Sequence, residues 1–301
     1  MSITGQNLSI VIVTLKSEDV IFKCLDSIDS KIPVFVIENS SNIEFKNILE
    51  KKYKNVNCTI TKSNLGMGSG NNIGIKQAKS NYTLILNPDV VLKPNTIEQL
   101  ILSSKESEDF TVLSPISIDI KYPNYKLFNN ENLINENILL TKVKSVDGYA
   151  MLFNNKKVKE IIEKEPENNN QNYFDENFFM YLENDDLCKR IIENKGEIFV
   201  APQAKIIHLG AKAVSEKYKN EIELSRNWHW IWSKFYFNKK HYGYIKALVD
   251  GLPNFIFSIF KSIFFKIIDD GNNYKKYLNR ASGFYNALMG KPSWYRPKLK
   301  D

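Results

Sequence analysis

Two short stretches hold the side chains that could do chemistry. In S-N-Y-T-L-I-L-N-P-D-V-V-L-K-P, residues 80 to 94, an apolar β-type run from Tyr82 to Leu86 stops at Asn87-Pro88-Asp89. Pro88 cannot donate to a sheet ladder, so the strand must end there and a turn follow. Asp89 therefore stands at the carboxyl end of what reads as a central buried strand, where open α/β sheets hold their ligands. In F-D-E-N-F-F-M-Y-L-E-N-D-D-L-C-K-R, residues 174 to 190, Glu183, Asp185 and Asp186 cluster at the mouth of a predicted helix. One acidic site in each stretch suggests a metal or phosphate site facing a general base.

The elements that must position these groups alternate. Leu8 to Thr14 is a near-continuous apolar run rich in β-branched residues, which predicts a strand buried on both faces. Ser17 is the expected N-cap of a helix carrying Val20, Ile21, Cys24, Leu25 and Ile28 at helical spacing. A second strand is predicted over Pro33 to Glu38, a helix from about Ile43 to Tyr53, and a third strand over Val56 to Thr61. That β-α-β-α-β order predicts a parallel sheet with right-handed crossovers. Residues 64 to 74, N-L-G-M-G-S-G-N-N-I-G, read as a loop whose Gly66, Gly68 and Gly70 let the backbone approach a ligand closely. A dinucleotide-binding glycine loop is the other reading, but that fingerprint belongs after the first strand, where this chain has Leu15-Lys16.

Further along, Pro94 can open a helix through Leu102, and Phe110 to Pro115 is another strand candidate. Residues 116 to 140 are irregular. Val143 to Phe153 reads as a strand bordering a pocket around Gly148. A short helix is expected from Asn155 to Lys164, a polar mobile loop over residues 165 to 172, and a helix from Asp185 to Asn194 closed by Gly196. Glu197 to Val200 and Lys205 to His208 read as short strands.

The chain has 301 residues, 43% of them hydrophobic and 25% charged, with a net charge of +7. Residues 201 to 301 hold 18 Lys and Arg against 7 Asp and Glu, so the basic excess lies wholly in the last third. Such asymmetry suggests a polyanionic partner, either an anionic membrane surface or nucleic acid; no nucleic-acid-binding module is visible, and none is expected to bind. The three cysteines form no C-x-x-C pair, which argues against disulfides and a cysteine zinc site and fits a reducing compartment. The first residues lack a basic segment followed by an apolar core, so no leader is expected. Beyond about Ala213 the alternation ceases. Trp228, Trp230 and Trp232 lie among basic residues, which suggests an interfacial anchor, and Ile245 to Ile268 is strongly apolar but contains Pro253, Lys261 and Lys266. Roughly 20 largely uncharged residues are needed to span a bilayer. A helix pair lying in the membrane interface is therefore expected rather than a span, with packing against the rest of the chain as the alternative.

In their order, L-S-I-V-I-V-T, V-I-E-N-S-S, N-L-G-M-G-S-G-N-N-I-G, L-I-L-N-P-D-V-V-L and the 174 to 190 stretch resemble family 2 glycosyltransferases, most closely the rhamnosyltransferase-type branch, over residues 8 to 212. The resemblance implies a GT-A nucleotide-diphospho-sugar transferase domain over residues 1 to 213, mostly parallel in its central sheet, and a helical basic and aromatic extension over residues 214 to 301. It implies inverting transfer from a nucleotide-sugar donor, dTDP-rhamnose or a UDP-sugar, to a glycan or lipid-linked acceptor, in the cytoplasm at the inner face of a membrane. By the same resemblance Thr14 borders the nucleobase, Glu38 and Asn39 face its edge, and Asn64, Gly66 and Asn71 to Asn72 surround the ribose and base. Asn87-Pro88-Asp89 resembles the D-x-D metal motif, and His208 the histidine that completes a site for Mg²⁺ or Mn²⁺. At the family's usual general-base position this chain has Asn184, and an amide accepts no proton at neutral pH. Glu183 or Asp185 would have to serve, with Asp186 bracing the helix, or the chain is a catalytically silent sugar-nucleotide-binding subunit.

Overall fold

Seven consecutive residues, Leu8–Thr14, are buried along their whole length and form β1, the strand on which the sheet is built. A computed structural model describes residues 7–119, 121–128, 134–165, 170–210 and 213–299. From β1 the chain runs through α1 (Ile21–Asp26), β2 (Val34–Glu38), α2 (Ile43–Lys52), β3 (Val56–Ile60), α3 (Met67–Ala78) and β4 (Tyr82–Leu86). These four strands are parallel in the order β3-β2-β1-β4, as the alternating sequence predicts. Then come β5 (Val90–Leu92), α4 (Thr96–Ser104), β6 (Val112–Ser117), β7 (Tyr125–Lys126), β8 (Thr141–Lys142), β9 (Ser145–Val146), β10 (Ala150–Asn154), α5 (Asn155–Ile162), α6 (Glu183–Glu193) and β11 (Ile198–His208). The sheet continues past β4 through β10, β6, β11 and β5. β10 runs antiparallel to β4 and β6, and β5 antiparallel to β11. The sheet is thus mixed and largely parallel.

Several local expectations change. Ser17 caps no helix: its hydroxyl donates to Ala213 O at 2.6 Å and accepts from Leu15 N, and α1 begins only at Ile21. The glycine run is not a loop beyond Gly66. Met67 onward is helical, because the missing side chains let α3 lie on β1: a Cβ at Gly74 would come within 2.3 Å of Val11 Cγ1, and one at Gly70 within 2.8 Å of Val13 Cγ1. Gly66 itself has φ 87°, a conformation glycine adopts without the Cβ penalty. At the end of α6 it is Lys195, not Gly196, that turns left-handed; Gly196 is a packing glycine against Ile161, Ile191 and Thr111. The two predicted strands over 197–208 are one, β11, irregular between Ala201 and Lys205. The single strand expected over 143–153 is two, β9 and β10, with Asp147, Gly148 and Tyr149 between them. Part of the loop expected over 165–172, residues 166 to 169, lies outside the described residues, as do residues 120 and 129 to 133 of the irregular stretch.

The chain divides into two compact units: Met1–Asp175 with Asn184–Ser215, and Glu176–Glu183 with Glu216–Asp301. The second unit holds α7 (Lys219–Tyr242), α8 (Tyr244–Ile267) and α9 (Gly271–Leu288). Its core is Trp228, Ile231, Trp232, Phe235, Ala247 and Phe284. The short segment 176–183 is bound into it. Phe178 meets Tyr236 edge-on, Ser233 Oγ donates to Met180 O at 2.8 Å, and the Arg296 guanidinium lies 3.7 Å from the Phe179 ring centre. Trp228 and Trp232 are therefore structural, and of the three clustered tryptophans only Trp230 is exposed.

Candidate functional site

Strand register gathers the site along one edge of the sheet. β1, β2 and β4 all end there, with Thr14 beside Glu38 and Leu86 beside Ala150. After Leu86 the chain turns: Asn87 N donates to Tyr149 O at 2.9 Å, and Val90 N to Asn87 O at 3.1 Å. The returning strand pairs Val90 with His208, which sets His208 next to Asp89. The His208 Nε2 and Asp89 Oδ2 atoms are 3.5 Å apart, and Leu209 N donates to Asp89 O at 3.0 Å. Asp89 is buried, while His208 keeps a partly open edge. The Tyr149 ring stacks on the imidazole with centres 4.0 Å apart. Burial, with the Asp147 charge adding to it, pushes the Tyr149 phenol well above its ordinary range, so the ring stays neutral.

Two side chains on this edge could hold a divalent cation, one carboxylate and one imidazole, at a separation that suits neighbouring ligands each about 2.1 Å from a common ion. Asn87 Oδ1 is a third oxygen on the same turn, buried and without a hydrogen-bond partner. Among the described residues no three His, Cys, Asp or Glu side chains surround one point. Two protein ligands plus substrate phosphates is the usual arrangement for Mg²⁺, so the donor set fits such an ion.

A second group of ionisable residues lies between β7, β9 and α6. Asp185 accepts from Lys126 Nζ at 2.8 Å. Asp147, between β9 and β10, has its carboxyl raised above the usual range, first by burial and then by the Asp185 charge, with Lys126 and His208 opposing. Its backbone is fixed by Asn124: Asp147 N donates to Asn124 O at 2.8 Å, while the buried Asn124 carboxamide bonds Ser114, Pro115 and Ser117. The Asn184 carboxamide donates to Val146 O at 3.0 Å, and Gly148 packs closely on it: a Cβ at Gly148 would lie 3.2 Å from Asn184 Cβ. Glu183 is the first residue of α6. Asp186 is not a site group. It is fully buried and accepts from Arg190 Nε at 2.8 Å, while the same guanidinium bonds both oxygens of Glu165 and Tyr173 O.

The expected donor-side residues divide into two sets. Asn39, Asn64 and Gly66 come together beyond the ends of β2 and β3: Asn39 Nδ2 donates to Gly66 O, Gly66 N to Asn64 Oδ1, and Thr61 Oγ1 to Asn39 Oδ1. Glu38 is at the same edge but turned into its own loop, accepting from Ser40 N, Ser40 Oγ and Asn42 N. Thr14 is buried between these strands. Asn71 lies on α3 and is buried, with Oδ1 unpartnered. Its neighbour Asn72 is committed to Phe174, donating to its O and accepting from its N. A cavity of about 820 Å³ lies at the opposite end of β4, lined by Lys76, Lys79, Tyr82 and Tyr173 among others. Two pairs of its polar groups bond one another, Lys76 to Asn172 and Lys157 to Asp109, and of the expected residues Asn72 lies on its wall. Sequence reasoning missed Asp147, Tyr149, Asn124 and Lys126. The one signal available was Gly148, which marked a pocket without naming its acid.

Comparison with known proteins gives this edge a context. The family model described as "Glycosyl transferase family 2" matches residues 9–162. A low-salt glycan biosynthesis hexosyltransferase of Haloferax volcanii is 25% identical over 200 residues. That alignment covers 61% of this chain and 61% of the relative, so the match spans about three fifths of its length. Among solved structures, GalNAc-T7 with UDP, GalNAc and Mn²⁺ matches 74% of this chain and 51% of its own at TM-score 0.53 and 13% identity. Staphylococcus aureus TarS 1-349 matches 98% of this chain and 94% of its own at TM-score 0.51 and 16% identity, and a second TarS structure contains UDP. The shared fold is GT-A.

Proposed function

This chain belongs to glycosyl transferase family 2, and we propose that it is an inverting hexosyltransferase that moves one sugar from a nucleoside diphosphate donor to a glycan or lipid-linked acceptor. The observation that carries the reading is Asp89 and His208 held 3.5 Å apart at the carboxyl edge of the sheet, with a rim carboxylate, Asp147, raised by burial nearby. UDP in the GalNAc-T7 and TarS structures and the hexosyltransferase description of the Haloferax relative support the substrate class. A dTDP-linked rhamnose or a UDP-sugar is the donor proposed, and the inner face of a membrane the place of action.

Inverting transfer needs three things from the chain. Asn39, Asn64 and Gly66 line the donor's nucleoside end. Asp89 and His208 would hold Mg²⁺ or Mn²⁺, which when bound offsets negative charge on the leaving diphosphate. A carboxylate takes the proton of the acceptor hydroxyl as its oxygen forms the new bond to the anomeric carbon and the bond to the diphosphate oxygen breaks. Asp147 joins Glu183 and Asp185 as a candidate for that carboxylate. A carboxyl of raised pKa is the better base near neutral pH, whereas Asp185 already shares its charge with Lys126.

One observation favours a second reading. Asn184, at the position where the family resemblance expects the base, spends its amide on Val146 O, as a silent nucleotide-sugar-binding subunit would allow. Calorimetry with UDP and dTDP, with and without Mn²⁺, and a turnover screen against a nucleotide-sugar panel separate the readings. We expect binding that tightens with Mn²⁺ in the parent and not in Asp89→Asn, together with release of nucleotide from one donor. Binding without turnover of any donor supports the silent subunit. No binding of either nucleotide overturns both.

A further inference from the structure

α8 is built inside out. Its most buried positions are small: Ala247, Ser258 and Ser262 are buried, and Gly251 has no side chain where a Cβ would meet Phe284 Cε2 at 2.2 Å, while Leu248 and Phe255 pack on the bundle core beside them. Its outward positions are large and apolar. Ile245, Val249, Ile256, Phe260, Ile263 and Ile267 recur at steps of three, four and seven residues, are between 45% and 77% exposed, and form one stripe along a helix of 24 residues, about 36 Å. A helix of a water-exposed bundle turns such residues toward its neighbours, and this one turns them away.

Charge says what covers the stripe. At about 100° per residue, Lys266 falls roughly 90° to one side of the stripe's centre and Lys261 roughly 130° to the other. The Lys261 ammonium lies over the rings of Phe257, Phe264 and Phe265, 5.5 to 5.8 Å from their centres, and a lysine stem laid on apolar surface can extend its charge to a headgroup. The one acid within α8, Asp250, is paired with Lys246. Asp269 and Asp270 follow the helix, and Asp270 is taken up at the amino end of α9 by Asn273. The helix meets the length criterion for a span, but α7 and α9 pack along its inner side and carry charges of their own, Arg226, Lys234, Lys276 and Arg280 among them. Submerging the bundle would bury those charges.

We propose that the outer face of α8 lies in the interfacial plane of an anionic phospholipid membrane, with the Ile256, Phe260 and Ile263 side chains among the acyl chains and Lys261 and Lys266 at the headgroup phosphates. This rests on the membrane-side placement given under Proposed function and names the surface that makes it. Helix α8, rather than the tryptophan cluster of α7, is the contact.

Full-length protein is floated with vesicles of phosphatidylcholine alone or mixed with phosphatidylglycerol. We expect it to float with the anionic vesicles and to be released in part by high salt. Phe260→Asp with Ile263→Asp should lower partitioning by about tenfold or more per side chain, with helix content and UDP binding unchanged. Lys261→Glu with Lys266→Glu should remove the preference for the anionic lipid. Parent protein that floats with neither vesicle, or an aspartate variant that floats like the parent, overturns the proposal. So does retention through an alkaline carbonate wash, which marks a span, or a dimer that the aspartate variant abolishes, which makes the occupant a second copy. UDP binding on the same samples separates the two readings: flotation lost with UDP bound sinks only the α8 surface, and UDP binding lost with flotation intact sinks only the transferase.

Discussion

Asn184 Nδ2 donates to Val146 O at 3.0 Å, tying the first turn of α6 to the short strand β9. The carbonyl only accepts, so an ionised aspartate at position 184 would face it with no proton to offer. Asn184→Asp is the change that restores a family-like acid, and the structure argues against it as a repair. We expect it to cost about 1–3 kcal/mol of stability, from a lost hydrogen bond and two facing acceptors, and to lower turnover. Thermal melts and initial rates on the purified variant check this. A variant as stable as the parent and faster would mean that the amide is a lesion and not a brace.

The acid beside that brace is Asp147, and its neighbours give a comparison among three carboxylates. Asp147→Asn should lower turnover by ~10²–10⁴-fold, the usual loss of a general base, with UDP affinity unchanged. Asp185→Asn removes the partner of Lys126 and one charge that raises Asp147, so it should cost less and shift the acid limb of the pH–rate profile downward. Glu183→Gln completes the set. Near-parent turnover in Asp147→Asn, with a collapse in either of the others, returns the base to α6.

How much of this was legible in the sequence depends on what each residue does. β1, β2 and β4 read correctly because strands covered on both faces are runs of apolar, β-branched residues. The place of Asp89, just past the carboxyl end of β4, was legible because Pro88 stops such a run. The glycines from 68 to 74 misled because low helix propensity suggests a loop, whereas close packing on Val11 and Val13 makes a glycine-rich helix the better solution. Asp147 was hidden because two-residue strands have no periodicity, and its partners Asn124 and Lys126 come from an irregular stretch whose place only tertiary contacts fix. The tryptophans of α7 misled in another way. Amphipathic rings beside lysines look interfacial, but Trp228 and Trp232 give their N–H groups to Ser282 Oγ and Lys291 O inside the bundle.

That bundle offers a stability test at Gly283. A Cβ there would come within 2.4 Å of Trp228 O, a backbone atom of α7 that cannot swing aside. In an open helix, glycine to alanine stabilises by roughly 0.5–1 kcal/mol. Gly283→Ala should instead destabilise the second unit by about 1–3 kcal/mol through forced separation of α7 and α9. Gly271→Ala, with nothing within 4 Å, is the matched control and should stay within about 0.5 kcal/mol of the parent. Chemical denaturation followed by tryptophan fluorescence reads both. Equal midpoints would show that the two helices have room to spare.

The same core carries a buried histidine whose protonation should limit acid stability. His229 Nε2 is 2.8 Å from Tyr295 O, which can only accept, so Nε2 bears the proton and the buried Nδ1 is an unpartnered acceptor. Burial pulls the imidazole down to about 4; the bond to Tyr295 opposes this, and the Arg296 charge adds to it. The sign follows from the unfolded chain, where the ring binds a proton below its ordinary 6.5. The neutral ring's contribution is complete above pH 6.5, falls as pH drops from there toward 4, and changes no further below it. A depression of this size corresponds to about 3 kcal/mol. We therefore expect the denaturation midpoint of the second unit to fall between pH 6.5 and 4.5, above the range where carboxylates take over. Trp228, whose ring centre is 4.8 Å from the imidazole, serves as the fluorescent reporter. His229→Gln keeps a donor for Tyr295 O and cannot take up a proton, so its midpoint should be flat across that window. A parent that is equally flat, or a glutamine variant that keeps the full slope, assigns the acid sensitivity elsewhere.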